Sequence, residues 1–259
     1  MRYASCNFKN SPGMTIKFTL IFFAMAIFTL GLYFVRAKTN SNKFSTKSSQ
    51  QPIKLNLEAK QIVDSLQKLG YFKYTEADNI DNLKKEIISG LEEYYYLSTI
   101  YEDNKPYNSK DFRHYHLDGE DLFELGGFID ELKEMTLTFD KMNIKLVVNE
   151  NLEEWDEKNN WLNHRITINN KQYIVFRNFR GYGWGEAAQR FADILNDQFQ
   201  ILGTDERIYL ANGGNDGRAV FLTEDQFKLL DPYLKNDNDR PLRIEDWCKV
   251  MQIERQNIN

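Results

Sequence analysis

One uninterrupted apolar segment near the N-terminus, residues 18–35, constrains this chain more than any other feature. Its 18 residues carry no charge, whereas a core helix of a soluble domain normally shows a polar stripe. At a rise of about 1.5 Å per residue, a helix over this segment is roughly 27 Å long, which matches the hydrocarbon core of a bilayer. The sequence therefore predicts a transmembrane or signal-anchor helix over residues 18–36, after a leader of residues 1–17, that enters the lipid bilayer through residues 18–35.

The residues around this segment bear on its processing and orientation. Val35-Arg36-Ala37 resembles a signal-peptidase site, so a secreted domain with a cleaved signal peptide is an alternative. The apolar run exceeds the roughly 7–15 residues of a signal peptide, which favours a retained, single-pass membrane anchor. Basic residues on both sides point weakly to a cytoplasmic domain. The layout of a short leader, one apolar run and a large hydrophilic domain is that of an export signal, and we expect the domain on the extracytoplasmic side.

The charge divides the chain into two parts. Residues 1–54 contain eight of the 33 Lys and Arg residues and no Asp or Glu, so residues 55–259 hold 25 basic and 38 acidic side chains and carry a net charge of −13. A domain this acidic is repelled by phosphate backbones, which argues against a nucleic-acid partner and favours a basic protein. The two cysteines lie on opposite sides of the apolar segment and make neither a disulfide framework nor a zinc site.

The chain beyond the anchor begins with a polar stretch. Residues 37–54 are rich in Ser, Thr, Asn, Lys and Gln without an apolar period, which predicts a flexible tether. A globular domain is expected over residues 55–259. Apolar residues recur at helical spacing over residues 62–69, before a C-terminal cap at Gly70, and again over residues 80–101.

The middle and the C-terminal part alternate between strand and helix patterns. Trp155 and Trp161 are predicted to lie in a polar connection. The predicted strands and helices are strands over 112–117 and 122–125 joined by a turn, a helix over 128–140, a strand over 144–148, a hairpin of 166–168 with 173–176, a helix over 187–202, a hairpin of 207–211 with 218–222, a capping box at 223–226 that opens a helix, and a last helix over 244–251. Strands paired through hairpins, with helices between the pairs, predict an α+β domain of largely antiparallel hairpins with packed helices.

His114-Tyr115-His116 is the candidate metal site. Residues two apart on a strand share a face, so both imidazoles could converge on a metal ion. Asp118, Glu120 and Asp121 are near enough in sequence to complete the site. The alternative is a strand edge with solvated polar residues. A metal-assisted hydrolase is accordingly the rival functional hypothesis. No catalytic residue is predicted, because the chain has no nucleophile elbow, P-loop or His-Glu-x-x-His helix.

Two loops rich in glycine are the candidate binding segments. Arg180, Tyr182 and Trp184 follow the first hairpin on a Gly-rich connection, with residue types that are common at protein-binding surfaces. This connection fails as a dinucleotide fingerprint, because Glu186 stands where the third glycine is required, so no cofactor is expected. Asn215 and Asp216 lie in the second hairpin loop, whose composition also suits an ordinary turn.

The sequence therefore favours a membrane-anchored module that binds another protein. An immunity protein that neutralises a basic toxin is one concrete example, because an acidic surface attracts a basic partner.

Overall fold

The computed structural model describes residues 52–102, 105–235 and 239–258, which form an α+β domain with antiparallel sheets and packed helices. The predicted fold class is confirmed for this part of the chain. The predicted leader and anchor, and most of the predicted tether, lie outside the described residues. Within the described ranges, no helix is long and apolar enough to cross a membrane.

Helices and strands alternate along the domain. The α-helices are α1 (Pro52–Lys68), α2 (Ala77–Ser89), α3 (Gly119–Phe123), α4 (Gly127–Glu134), α5 (Thr136–Lys141), α6 (Trp184–Ile201), α7 (Glu224–Leu230) and α8 (Ile244–Met251). The strands are β1 (Tyr101–Glu102), β2 (Lys105–Ser109), β3 (His114–His116), β4 (Val148–Asp156), β5 (Trp161–Ile168), β6 (Lys171–Phe179), β7 (Glu206–Ala211) and β8 (Arg218–Thr223). Strands β1 and β2 form a separate two-stranded sheet.

The first three-stranded sheet, in the order β3-β8-β7, lies between two apolar cores. Successive side chains of a strand point to opposite faces, so Tyr209 and Val220 face the core that includes α1, α2 and α7. Leu210 and Ala219 face the core that includes α6. Because both faces are covered, β7 and β8 consist of nearly continuous apolar residues.

The second three-stranded sheet is the meander β4-β5-β6, which has one covered face and one open face. Ile166 of β5 is buried in the core that includes α6, whereas its neighbour Arg165 is exposed. Helix α6 packs against both sheets, and its Phe199 contacts Phe221 of the first sheet. The helix therefore links the two sheets through a shared core.

Two predicted helices are wrong in extent. The predicted helix over residues 80–101 ends at Ser89 and continues only as one π-helical turn, Gly90–Tyr94, because Tyr95 adopts a left-handed conformation with φ 57°. A Cβ at Gly90 would lie 2.7 Å from the Cβ of Ser98, so the chain doubles back closely at this point. The predicted helix over residues 128–140 is two helices, α4 and α5, separated at Met135.

The predicted strand over residues 122–125 is instead the end of helix α3, at Phe123, followed by a bend and a turn over residues 124–125. The side chain of Asp118 accepts hydrogen bonds from the backbone N–H groups of Glu120 and Asp121, which starts helix α3. The predicted partner, β3, pairs with β8, so its partner lies about 100 residues away in sequence. A short apolar run does not distinguish a helix from a strand, which explains the wrong prediction.

Two further predictions about strands are wrong. Residues 144–147 pair with no strand, because the side chain of Asn169 binds the N–H of Val147 and the carbonyl of Lys145. Trp155 and Trp161 lie in strands β4 and β5 rather than in a connection. Strand β4 is rich in Glu and Asn, residues that are depleted in strands, and its pattern therefore did not indicate one.

A buried ion pair between Arg113 and Glu206 lies at one end of the first sheet. Both side chains are fully buried, and Nη1 of Arg113 lies 3.0 Å from Oε2 of Glu206. Arg113 also donates to three backbone carbonyls, those of Gly70, Tyr71 and Phe221. One guanidinium thus connects β8, the segment before β3 and the turn that follows α1.

Neighbouring polar groups complete this network. Tyr74 donates to Glu206, and Lys73 reaches the same carboxylate at 2.9 Å. Burial alone would raise the pKa of Glu206, but the charges of Arg113 and Lys73 hold that pKa below its ordinary value. The carboxylate is therefore ionised at neutral pH, and its partners compensate for its removal from water.

We predict that Arg113→Met destabilises the domain strongly, because it leaves the Glu206 carboxylate buried without its main partner. The expected loss in the free energy of unfolding is about 3–5 kcal/mol, measured by denaturant titration. Lys133→Ala serves as the control, because Lys133 forms an exposed ion pair with Asp130, and the expected change there is below about 0.5 kcal/mol. Equal effects of the two substitutions would contradict a structural role for the buried pair.

Candidate protein-binding surface

Helix α3 brings the two predicted binding loops together. Residues 180–184 pack against one side of α3, and the loop over residues 212–217 packs against its N-terminal end. The sequence predicted the two loops separately. It predicted a strand over residues 122–125, where α3 ends, so the common neighbour of the loops was not foreseen. A short helix with a side-chain cap is the element that holds both.

The first loop is held by close contacts at two glycines. A Cβ at Gly119 would lie 2.9 Å from the backbone oxygen of Trp184, and a Cβ at Gly183 would overlap the ring of Phe123. Gly183 also has φ 68°, a left-handed conformation that favours glycine. Trp184 is half-buried as the first residue of α6, whereas Tyr182 is exposed. The loop therefore has a fixed path that presents Tyr182 to solvent.

The second loop is held by hydrogen bonds. Nε2 of His116 donates to the carbonyl oxygen of Asn215 over 2.9 Å, and the Asn215 side chain donates to Glu120 over 3.1 Å. The indole N–H of Trp247 also holds the loop, because it donates to the carbonyl oxygen of Asn212. Asp216 is exposed at the end of the loop.

Three large apolar side chains are exposed beside α3. Leu125 is 85% exposed, Tyr182 is 74% exposed and Trp155 is 54% exposed. They lie on the segments next to a half-buried pair, Phe123 and Phe179, whose ring centroids lie 5.8 Å apart. We call these five residues the α3 surface.

The position of Trp155 follows from the register of the second sheet. Trp155 pairs with Leu162, and Leu162 pairs with Phe179, so all three point to the covered face of that sheet. The backbone N–H of Gly126 donates to both carboxylate oxygens of Glu153, each over 3.2 Å. This contact holds Leu125 close to β4 and to Trp155.

Arg180 lies on the other side of the same sheet. Its guanidinium is 5.1 Å from the ring centroid of Trp161, whose partner in β4 is Asp156. Adjacent residues of a strand point to opposite faces, so Arg180 and Phe179 lie on opposite faces. Of the predicted binding residues, Tyr182 belongs to the α3 surface, Trp184 supports it, and Arg180 lies at the neighbouring open face.

Acidic residues lie next to the α3 surface in the chain. Asp121, Glu124, Glu154 and Glu157 are exposed, and Glu154 points to the open face of the second sheet. Glu131 of α4 is buried, and its Oε2 has no hydrogen-bond partner among the described residues. Burial and the nearby carboxylates of Glu134 and Asp121 raise the pKa of Glu131 to about 8. Burial is the main cause of this shift and the nearby carboxylates add to it, so Glu131 keeps its proton at neutral pH.

The two histidines of the predicted metal site have separate partners. Nδ1 of His114 is buried and donates to Asp111 over 2.9 Å, whereas His116 binds the carbonyl of Asn215. Among the residues that the structure describes, no group of three or more His, Cys, Asp or Glu side chains is arranged to hold a metal ion. The metal site stays a prediction from the sequence.

Comparison with protein-family models, with curated proteins and with solved structures found no match to this chain.

Sequence reasoning missed two residues of this surface. Leu125 was placed in a strand, and Trp155 was placed in a polar connection, so neither was considered for binding. Leu125 is followed by Gly126 and Gly127, and two consecutive glycines could have indicated a turn beside α3. Gly126 indeed has φ 86°. For Trp155 the only signal was a large aromatic residue within a polar segment.

We predict that Glu131→Gln alters the pH dependence of stability. The folded domain keeps the Glu131 proton up to about pH 8, whereas the unfolded chain loses it near pH 4.5, so this group lowers stability progressively as pH rises between those values. The substitution removes that loss. The variant should gain about 4 kcal/mol relative to the wild type between pH 5 and pH 9, measured by urea unfolding.

Glu86→Gln, at an exposed position of α2, is the matched control and should leave the pH curve unchanged. Parallel wild-type and Glu131→Gln curves between pH 5 and pH 9 would contradict the raised pKa.

Proposed function

We propose that this protein is a binding module for another protein, held at a membrane by the apolar segment of residues 18–35. The observation that carries the proposal is the α3 surface, where Leu125, Trp155 and Tyr182 are exposed together on a fixed support. Exposed large apolar side chains are normal when they are scattered, but a contiguous group marks an interaction site. Trp and Tyr are also the residues that contribute most often to binding energy at interfaces.

The support of this surface is rigid, which favours binding. The glycine contacts of residues 119 and 183, together with the hydrogen bonds between Gly126 and Glu153, hold the loops in one arrangement. A preformed surface loses little conformational entropy when it binds a partner. Tyr and Trp side chains add large contact areas with few rotatable bonds.

The charge of the domain indicates the chemistry of the partner. Residues 55–259 carry a net charge of −13, and the exposed carboxylates next to the α3 surface belong to this excess. Complementary charge speeds association and selects among partners. The proposed partner is therefore a basic protein with an apolar contact region, and a toxin neutralised by an immunity protein is a concrete example.

Membrane attachment would place this surface near its partner. Residues 18–35 supply a span of suitable length, and residues 37–51 supply a polar stretch before α1 begins at Pro52. We place the domain on the extracytoplasmic side, in keeping with the layout of the chain.

We predict that Leu125→Asp combined with Tyr182→Asp abolishes partner binding without unfolding the domain, because both side chains are already exposed. The measurement is co-purification of the full-length protein from cross-linked membranes, with unfolding curves as a check on stability. Ile201→Asp is the matched control, since Ile201 is 56% exposed but lies at the far end of α6, about 25 Å from Trp184. A partner that is lost with the control variant, or retained with the double variant, would contradict the proposal.

A second prediction concerns the anchor and its orientation. A reporter that is active only outside the cytoplasm should be active when it is fused after Lys54. The same fusion lacking residues 18–35 should lose that activity, because the segment that enters the bilayer is gone. Activity of a cytoplasm-only reporter at the same position would overturn the proposed orientation, and membrane association of the shortened fusion would overturn the proposed anchor.

A further inference from the structure

Strand β4 has an open edge next to the α3 surface. It is nine residues long, and among the described residues it pairs only with β5. The other edge of such a strand presents a row of backbone N–H and C=O groups that can pair with another chain. Proteins commonly block such edges with a helix or with charged side chains.

The side chains of β4 point alternately to the two faces of the second sheet. Glu150 and Glu154 are exposed on the open face. They pair with Thr167 and Asn163 of β5, and paired residues of adjacent strands point to the same face of a sheet. On the covered face, Trp155 extends beyond the core and is exposed beside the α3 surface. A strand added at this edge would therefore meet Glu150 and Glu154, on either side of Leu152, on the open face, and Trp155 after Asn151 and Glu153 on the covered face.

A second copy of this chain is a poor occupant of this edge. Two β4 strands paired antiparallel around their centres would bring Glu150 and Glu154 of one copy against the same carboxylates of the other. Like charges that lie opposite each other destabilise a pair of strands, whereas opposite charges stabilise it. The edge therefore favours a basic strand.

We propose that the partner adds an extended segment to the open edge of β4, in which basic residues alternate with apolar residues. The basic residues pair with Glu150 and Glu154, and the apolar residues contact Trp155 and Leu125. Backbone hydrogen bonds provide affinity in this mode of recognition, and the alternating side chains provide specificity. The inference rests on the proposed function, because it describes how a basic partner engages the α3 surface.

The test uses a fluorescent nine-residue peptide of alternating Lys and Val and a second peptide of the same composition with Lys and Val in separate blocks. Binding to the full-length protein in non-ionic detergent is measured by fluorescence anisotropy. The alternating peptide should bind at least about ten-fold more tightly, because only its pattern matches both faces of β4. Hydrogen exchange should slow at the backbone amides of β4 when that peptide is bound.

Charge reversal provides the matched variants. Glu150→Lys with Glu154→Lys should weaken binding of the alternating peptide at least about ten-fold, because both cross-strand charge pairs become repulsive. Glu254→Lys changes an exposed carboxylate beyond α8 and should have little effect.

Three results would overturn strand addition. These are equal binding of the two peptides, unchanged exchange in β4, and a peptide-free dimer in which the β4 amides are protected. If the cellular partner is still lost with the Leu125 and Tyr182 double variant, the proposed function stands without this inference.

Discussion

The ion pair between Arg113 and Glu206 is the interaction on which the rest of the domain depends. A fully buried charge is tolerated only when its partners surround it, and Arg113 meets this condition with one carboxylate and three backbone carbonyls. These contacts join segments that are far apart in the sequence, from Gly70 to Phe221. They hold β3 beside β8, and the position of β3 determines where α3 begins.

The α3 surface follows from this arrangement. Leu117, directly after β3, donates to Gly217 at the end of the second loop, and the Asp118 cap then starts α3 between the two loops. The close approaches at Gly119 and Gly183 leave room for no side chain, so the apolar residues around them turn outward or pack on Phe123. The exposed position of Tyr182 is in this sense a consequence of tight packing beneath it. Asp121 and Glu124 are exposed carboxylates that lie next to this surface in the chain.

Local patterns predicted much of the fold but not its long-range pairing. The hairpins around Asn169 and Gly213, helix α6 and the capping box at Thr223 follow from short-range turn and periodicity signals. The pairing of β3 with β8 depends on the buried partners of Arg113, which no local pattern reveals. Strand β4 was missed because its Glu and Asn residues contradict strand propensity. The two Gly-rich loops could be recognised as candidates from composition, whereas their meeting at α3 and the exposure of Leu125 and Trp155 required the tertiary structure.

The most direct measurement of the central claim is site-specific photo-cross-linking in intact membranes. A photoreactive amino acid is introduced singly at positions 125, 155 and 182, and at position 201 as the distant control with comparable exposure. We expect the first three positions to cross-link to one common basic protein and position 201 not to cross-link to it. Cross-links to that protein from position 201 but not from positions 125, 155 and 182 would contradict the assignment of the α3 surface as the binding site.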